Sequence, residues 1–426
     1  MTGYLLFLYY ETRKYRPLPD MGFRPDVTVV IPVKNEETHI AQVVEAVLNS
    51  DYPKNKLHVT VVDDGSTDKT WTMLQPFTYN PRVDLIKHER NFGKRVALAT
   101  GFLKSKSDIF VCIDSDSFVA HDAIKLLVQP FIDNRVVAVC GNGEVANMDT
   151  VLAKLQHYWY VEMFRLAKGM ESLFGCVSCC SGILAAYRQS SVHAVLDEWL
   201  GEKFLGRTIT YGDDRQLTNL VARGIPSKFS RMERFHLRSP GDDRTLTTYA
   251  LATKDAKVVY QSNAVVRTVV PVTWKQFLRQ QLRWKRAWVH GSLWSAKYMW
   301  KKKWPMPLIF YLYQTMTYLS PFVMIYWLIV RPISLQWVGL IGAFGFLLGN
   351  YYVGFLHGLN TKQLAGVSTR GVFYRTAFVT VNLLTSMTVV LYGWITPWKG
   401  GWITRSVESK TLNASTDALT TQPETN

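Results

Sequence analysis

Residues Val27–Val33 read VTVVIPV, an unbroken apolar run rich in β-branched side chains. Its length and composition are those of a strand buried on both faces. Lys34-Asn35-Glu36 follows it, then a helical stretch over residues 38–49. A second apolar run, residues 57–62, ends in Asp63-Asp64-Gly65-Ser66, and a third, residues 108–113, ends in Asp114-Ser115-Asp116. Continuous apolar strands separated by helical segments predict an α/β domain with a mostly parallel sheet covered on both faces. Ligands bind such sheets at the carboxyl ends of the strands. Acidic residues gather at that edge here, so the chemistry is expected there.

Composition predicts that this domain is attached to a membrane. The chain has 426 residues, room for one large soluble core and a second region. With 48% hydrophobic residues it is not a disordered chain, and five cysteines are too few to staple it. After Trp304 come three uncharged runs, at about residues 306–330, 333–358 and 376–396, each long enough to cross a hydrocarbon core as a helix. Lys297, Lys301, Lys302 and Lys303 precede the first run, and Lys362, Arg370 and Arg375 lie between the second and third. The positive-inside rule predicts both segments in the cytosol, with Arg331 in a short outer loop. The soluble domain is thus expected in the cytosol, where thiols stay reduced. Cys176, Cys179 and Cys180 have no fourth ligand at zinc-site spacing and read as packing residues in a loop. Residues 1–10 are apolar but too short to span, and read as the remnant or the end of a membrane helix rather than a signal peptide. The Thr- and Ser-rich residues 406–426 are expected to be disordered. Formal net charge is 49 − 33 = +16. Anionic lipid headgroups and anionic ligands account for it, and no nucleic-acid motif is present.

Asp114 and Asp116 flank one residue, so on an extended segment both carboxylates face the same way. Two hard oxygen donors so placed suit a magnesium or manganese ion holding a diphosphate. Asp64 ends another strand, where it can bond a base or ribose, or cap a helix. Asn91-Phe92-Gly93-Lys94-Arg95 puts a turn and two cations before a helix, a pattern suited to phosphate. Gln280, Arg283 and Trp284 share one helix face and offer an amide, a fixed cation and an aromatic plate. Trp284, Trp288, Trp294 and Trp300 alternate with Lys and Arg, so the segment also reads as an interfacial amphipathic helix.

In this order Asp64, Asp114-Ser115-Asp116, a Gly-Asp-Asp-Arg and Gln280-x-x-Arg283-Trp284, followed by membrane runs, resemble the processive family 2 glycosyltransferases. That family includes the hyaluronan, chitin and cellulose synthases, and the likeness is greatest to the hyaluronan synthases. Residues 175–182, followed by Tyr187-Arg188, are similar to their priming loop, and Trp402-Ile403-Thr404-Arg405 resembles a Trp-Gly-Thr-Arg near the family's C-terminus. The resemblance implies a GT-A-type nucleotide-sugar domain over residues 25–271 after a membrane-proximal segment, 1–24. Interfacial helices at 272–304, a transmembrane region at 305–398 and a tail at 399–426 would follow. It also implies roles. Asp64 would contact the uridine, and Asp116 with Asp114 would hold Mg²⁺ or Mn²⁺ on the diphosphate. Lys94, Arg95, Cys180, Ser181, Gln280, Arg283, Trp284, Trp402 and Arg405 would line the substrates. The second Asp of Gly-Asp-Asp would deprotonate the acceptor hydroxyl. The implied activity is inverting, processive synthesis of hyaluronan from UDP-GlcNAc and UDP-glucuronate by a single chain that extrudes its polymer. A chitin or chito-oligosaccharide synthase using UDP-GlcNAc alone is the alternative; a non-processive lipid glycosyltransferase and a non-enzymatic transporter fit less well.

Four departures stand out. Gly-Asp-Asp-Arg occurs twice, with Asp213-Asp214 in the first copy and Asp242-Asp243 in the second. The strand after the second copy (258–270) is apolar, whereas the segment after the first carries Arg231, Glu233, Arg234, His236 and Arg238, so Asp243 is expected to be the base rather than Asp214. Ser181-Gly182-Ile183 lacks the proline common after this glycine, and Ile403 stands where the family has glycine. Three C-terminal spans would leave Trp402 outside, which predicts a broken or re-entrant span near Pro321 or the glycines of the second run.

Overall fold

The run Val27–Val33 forms strand β1, and all seven residues are buried. β2 (Leu57–Asp63), β3 (Val83–Lys87), β4 (Ile109–Cys112), β5 (Ser117–Val119), β6 (Val136–Val145) and β7 (Ala185–Arg188) follow. A two-stranded ribbon, β8 (Lys203–Phe204) with β9 (Arg207–Thr208), precedes the long β10 (Lys257–Thr268). The computed structural model describes residues 12–201, 203–204, 207–208, 213–223, 256–302 and 304–397. Eight strands make one sheet in the order β3-β2-β1-β4-β7-β6-β10-β5.

β1 lies parallel to β2, from Val27 opposite Leu57 to Val33 opposite Asp63, and parallel to β4. β7 runs antiparallel between β4 and β6, pairing Cys112 with Ala185. β6 and β10 therefore point the same way as β1. Six strand ends, those of β1, β2, β3, β4, β6 and β10, and the loop entering β7 share one edge. The mostly parallel sheet expected from the apolar runs is present, with β5 and β7 reversed.

Helix α1 (Ile40–Leu48) buries Ile40, Val43, Val44 and Val47, the i, i+3, i+4, i+7 stripe of an amphipathic helix. α2 (Lys94–Lys104) packs on β1, with Gly101 against Val30, and buries Leu98 and Phe102. α3 (Val151–Val161), capped by the Thr150 hydroxyl, runs into a π-helical turn at Glu162–Lys168. α4 (Asp213–Arg223) and α5 (Trp274–Met299) pack together, and Arg215 of α4 lies against Gly291 of α5.

Beyond α5 lie α6 (Met306–Ile325), α7 (Arg331–Ala365) and α8 (Thr369–Thr385). Among the described residues, two helical stretches are long and apolar enough to cross a membrane, Met306–Gln363 and Thr369–Ile395. The first has 58 residues, which at 1.5 Å each is about 87 Å, far beyond a hydrocarbon core of about 30 Å. It folds back at Gln336, where φ is 44° and ψ −120°. The rings of Trp327 and Phe346 stack at 6.0 Å, where a straight helix would hold them about 28 Å apart. The outer loop expected at Arg331 is therefore displaced. Arg331 is helical and the reversal falls five residues later. The Arg331 guanidinium lies 4.3 Å from the Trp327 ring centroid, so its charge is covered and does not end the helix. A break near Pro321 is not seen, since α6 continues through it. Residues 1–11 and 398–426, with the expectations placed on them, lie outside the described residues.

Candidate active site

At the shared strand edge, β2 delivers Asp63 and Asp64, both fully buried. The Asp63 carboxylate accepts from the Ser66 N–H at 2.9 Å and closes the turn. Asp64 accepts from the N–H groups of Phe92 and Gly93, at 2.9 and 2.7 Å, and lies 2.8 Å from His88 Nδ1. Its carboxylate thus fixes the loop expected to carry phosphate. Gly93 has φ +97°, a conformation that disfavours any side chain, and it starts α2.

The two cations after Gly93 separate. Lys94 reaches the edge and binds Asp114 Oδ1 at 2.6 Å. Arg95 turns inward: its Nε donates to Asp213 Oδ1 at 2.8 Å, Nη1 donates to the Trp199 carbonyl at 2.7 Å, and its guanidinium lies 5.4 Å from the Trp199 ring. Arg95 is 5% and Asp213 7% exposed, so they form a buried brace between α2 and α4. Consecutive residues on a helix point about 100° apart, so only one of the pair can face the edge.

Asp114 and Asp116 follow β4. Asp116 Oδ1 accepts from Ser117 Oγ at 3.2 Å and Thr268 Oγ1 at 3.3 Å, which ties it to the end of β10. The Asp-x-Asp pair and Lys94 therefore sit together. Among the described residues no group of three or more His, Cys, Asp or Glu side chains is placed to hold a metal. Two carboxylates still fit Mg²⁺ or Mn²⁺ bound with a diphosphate, because these ions keep phosphate and water oxygens as ligands.

The Cys-rich loop lies between β10 and α4. Val177 N donates to the Val258 carbonyl at 3.1 Å, and Cys180 N donates to Thr218 Oγ1 of α4 at 3.0 Å. Glu171, whose carboxyl burial pushes up, accepts from the Ser178 N–H and hydroxyl. Cys176 and Cys180 are buried, Cys179 and Ser181 half-buried. Cys140 of β6 lies 3.0 Å from the buried Lys168 ammonium. Burial opposes ionisation of this thiol, but a hydrogen bond from Cys180 and the Lys168 charge lower it to about 6.

α4 begins at Asp213, within the first Gly-Asp-Asp-Arg, and its Thr218 meets the Cys-rich loop. Asp242 and Asp243 lie outside the described residues, as do Trp402 and Arg405. On α5, Gln280, Arg283 and Trp284 are half-buried, and Gln280 Oε1 is buried with no partner among the described residues. Trp284 packs on α3, 5.7 Å from the Trp159 ring and 6.5 Å from the Tyr160 ring.

A family model described as glycosyl transferase family 2 matches residues 28–196. Those residues form a glycosyl transferase family 2 domain. The match covers β1 to β7 and the Asp-x-Asp edge and stops before α4. Two curated relatives extend the glycosyltransferase likeness. An N-acetylglucosaminyltransferase of Rhizobium meliloti (strain 1021) is 32% identical over 281 residues, 65% of this chain and 57% of that protein. A hyaluronan synthase of Streptococcus pyogenes is 30% identical over 291 residues, 66% and 62%. The aligned residues thus span about three fifths of each relative. A mannosyltransferase from Pyrobaculum calidifontis, solved in complex with GDP-Man and Mn²⁺, shares the fold with TM-score 0.55 and 20% identity, over 92% of this chain and 95% of that one. Motif reading did not single out His88, Lys168 or Glu162 in the glycosyltransferase domain. Each is a polar residue on an otherwise unremarked helix or loop, and only tertiary packing supplies its partner.

Proposed function

We propose that this glycosyltransferase is a membrane-embedded, processive, inverting enzyme that builds a β-linked polysaccharide from UDP-sugars. Its product on this reading is hyaluronan, made from UDP-GlcNAc and UDP-glucuronate by one chain whose catalytic domain faces the cytosol at the plasma membrane. The supporting observation is that Lys94 meets Asp114 beside Asp116 at one sheet edge, that α4 starts at Asp213 and is held on Arg95 and Cys180, and that α5 carries Gln280, Arg283 and Trp284 and leads into apolar helices.

Asp114 and Asp116 would hold Mg²⁺ or Mn²⁺, and such an ion, when bound, neutralises charge on a departing diphosphate. The protein's own groups do the rest. Lys94 sets a fixed cation beside the diphosphate. Asp214 accepts the proton of the acceptor hydroxyl, whose oxygen then attacks the anomeric carbon as the bond to UDP breaks, inverting the configuration. We assign the base to Asp214 rather than Asp243 because its copy opens a helix anchored on both sides, by Asp213 on Arg95 and Thr218 on Cys180. Trp284 gives the acceptor sugar an aromatic plate.

An acidic sugar is favoured by Arg215 and Lys285, two basic side chains on the packed helices α4 and α5. A chito-oligosaccharide made from UDP-GlcNAc alone is the second reading, favoured by the 32% identity to an N-acetylglucosaminyltransferase. The test is UDP release by purified protein with Mg²⁺ or Mn²⁺, given each donor alone and then both. Polymer only with both donors, digestible by hyaluronidase, is the expected result. Polymer from UDP-GlcNAc alone establishes the second reading, and no turnover overturns both.

A further inference from the structure

A buried charge cluster joins the glycosyltransferase domain to the apolar helices. Glu162, in the π-helical turn after α3, accepts from Arg375 Nε of α8, and His357 Nδ1 of α7 lies 2.9 Å from its other oxygen. The three side chains are 16%, 8% and 14% exposed. Burial alone would raise the Glu162 carboxyl, but the charges of Arg375 and His357 outweigh it and hold it below the usual range. Such a cluster is seldom the most stable filling for its volume, so its value lies in geometry.

The same face of α3 carries two aromatic contacts in register with it. Tyr158 stacks on Tyr374 at 5.7 Å and Trp159 on Phe378 at 5.4 Å. At Gly371 a Cβ would lie 2.3 Å from the Tyr158 ring, so α8 approaches α3 as closely as its backbone allows. Trp159 also meets Trp284 at 5.7 Å. A continuous path of rings therefore runs from α8 through α3 to the proposed acceptor plate, and Glu162 pins it one helical turn beyond Trp159.

We infer that Glu162 is a positioning residue: gripped by Arg375 and His357, it fixes α3 against α7 and α8, so that Trp159 holds Trp284 in one place relative to the apolar helices. The inference rests on the polymerase reading for its kinetic consequence but not for its structural one. The experiment uses full-length Glu162→Gln and Glu162→Asp in lipid vesicles. In Glu162→Gln, kcat is expected to fall by about tenfold or more, as small misplacements of reacting groups do. The donor KM should stay within about twofold, because donor groups are untouched. Products should shorten, and Glu162→Asp should recover part of the loss. Hydrogen exchange, which needs no turnover, should quicken in residues 151–161 and 274–287 while β1, β2 and β4 keep their protection. Absence of turnover in the wild type would sink the polymerase reading and leave this exchange comparison to decide the inference. Unchanged kcat, product length and α5 protection in Glu162→Gln would overturn it. So would a protection loss spread over the whole sheet, with kcat falling only as the folded fraction falls. If Glu162→Gln does not accumulate, His357→Gln, which keeps the Glu162–Arg375 pair, is read by the same measures against the same outcomes.

Discussion

Arg95→Met separates a buried brace from a phosphate ligand. The wild-type guanidinium bonds Asp213 at 2.8 Å and the Trp199 carbonyl at 2.7 Å while 5% exposed. Methionine fills much of the same volume but leaves Asp213 as a buried carboxylate without its cation. Breaking a buried pair from one side costs about 3–5 kcal/mol. For a domain of about 150–250 residues each kcal/mol moves Tm by about 2–4 °C, so the fall should be roughly 6–20 °C. Lys94→Met is the control. Its ion pair with Asp114 is 14% and 30% exposed, and partly exposed pairs contribute about 0–1 kcal/mol. Its Tm should move by less than about 4 °C while the donor KM rises. Arg95→Met/Asp213→Asn, with both charges gone, should regain part of the lost stability. The assay is thermal unfolding of purified protein beside UDP-release kinetics. An Arg95→Met protein that melts with the wild type but binds donor weakly would refute the reasoning and return Arg95 to the phosphates.

Other outcomes follow from the same geometry. Asp214→Asn should cut turnover by about 10²–10⁴-fold with the fold intact, and Asp243→Asn should leave turnover near wild type; the reverse pattern in UDP release would move the base to the second copy. Asp116→Asn, or EDTA treatment of the wild type, should abolish UDP release, with Mn²⁺ or Mg²⁺ restoring the EDTA-treated wild type alone. Glu162 has a folded-state pKa below its unfolded value, so its contribution is complete above about pH 4.3 and declines as pH falls through the folded value. Glu162→Gln should therefore flatten the acid limb of a Tm-against-pH curve, and an unchanged limb would show that the charge is not what Arg375 holds. Trp159→Ala, which removes the ring packed on Trp284, should lower kcat and shorten products while the donor KM stays within about twofold, read by product-length analysis at fixed donor.

The sheet was legible because its strands bury both faces, and an apolar run such as Val27–Val33 has few other places to go. The carboxyl-edge rule then placed Asp64, Asp114 and Asp116 on one side before any packing was known. What pattern could not supply was direction around a helix whose neighbour is remote in sequence. Lys94 and Arg95 look alike in a string, yet one meets Asp114 and the other Asp213, 118 residues away. The hairpin at Gln336 was misplaced for a related reason. Charge marked Arg331 as a loop residue, and Trp327 on the preceding turn covers that charge.

The two Gly-Asp-Asp-Arg copies show the limit most clearly, because the sequence argument for the second copy is sound as far as it goes. An apolar strand does follow it, and that strand is β10, between β6 and β5 in the sheet. The inference that the adjoining motif must then serve the site assumes that the motif and the strand act as one unit. α4 supports the other copy without that assumption. It carries the first copy, takes Arg95 through Asp213 and Cys180 through Thr218, and meets α5 at Gly291 through Arg215. A motif is held by the groups that pair with it, and these come from α2, from the loop before β7 and from α5. Adjacency to a strand in sequence is therefore weaker support for a base than three contacts from separate elements, and the Asp214→Asn and Asp243→Asn pair weighs one against the other.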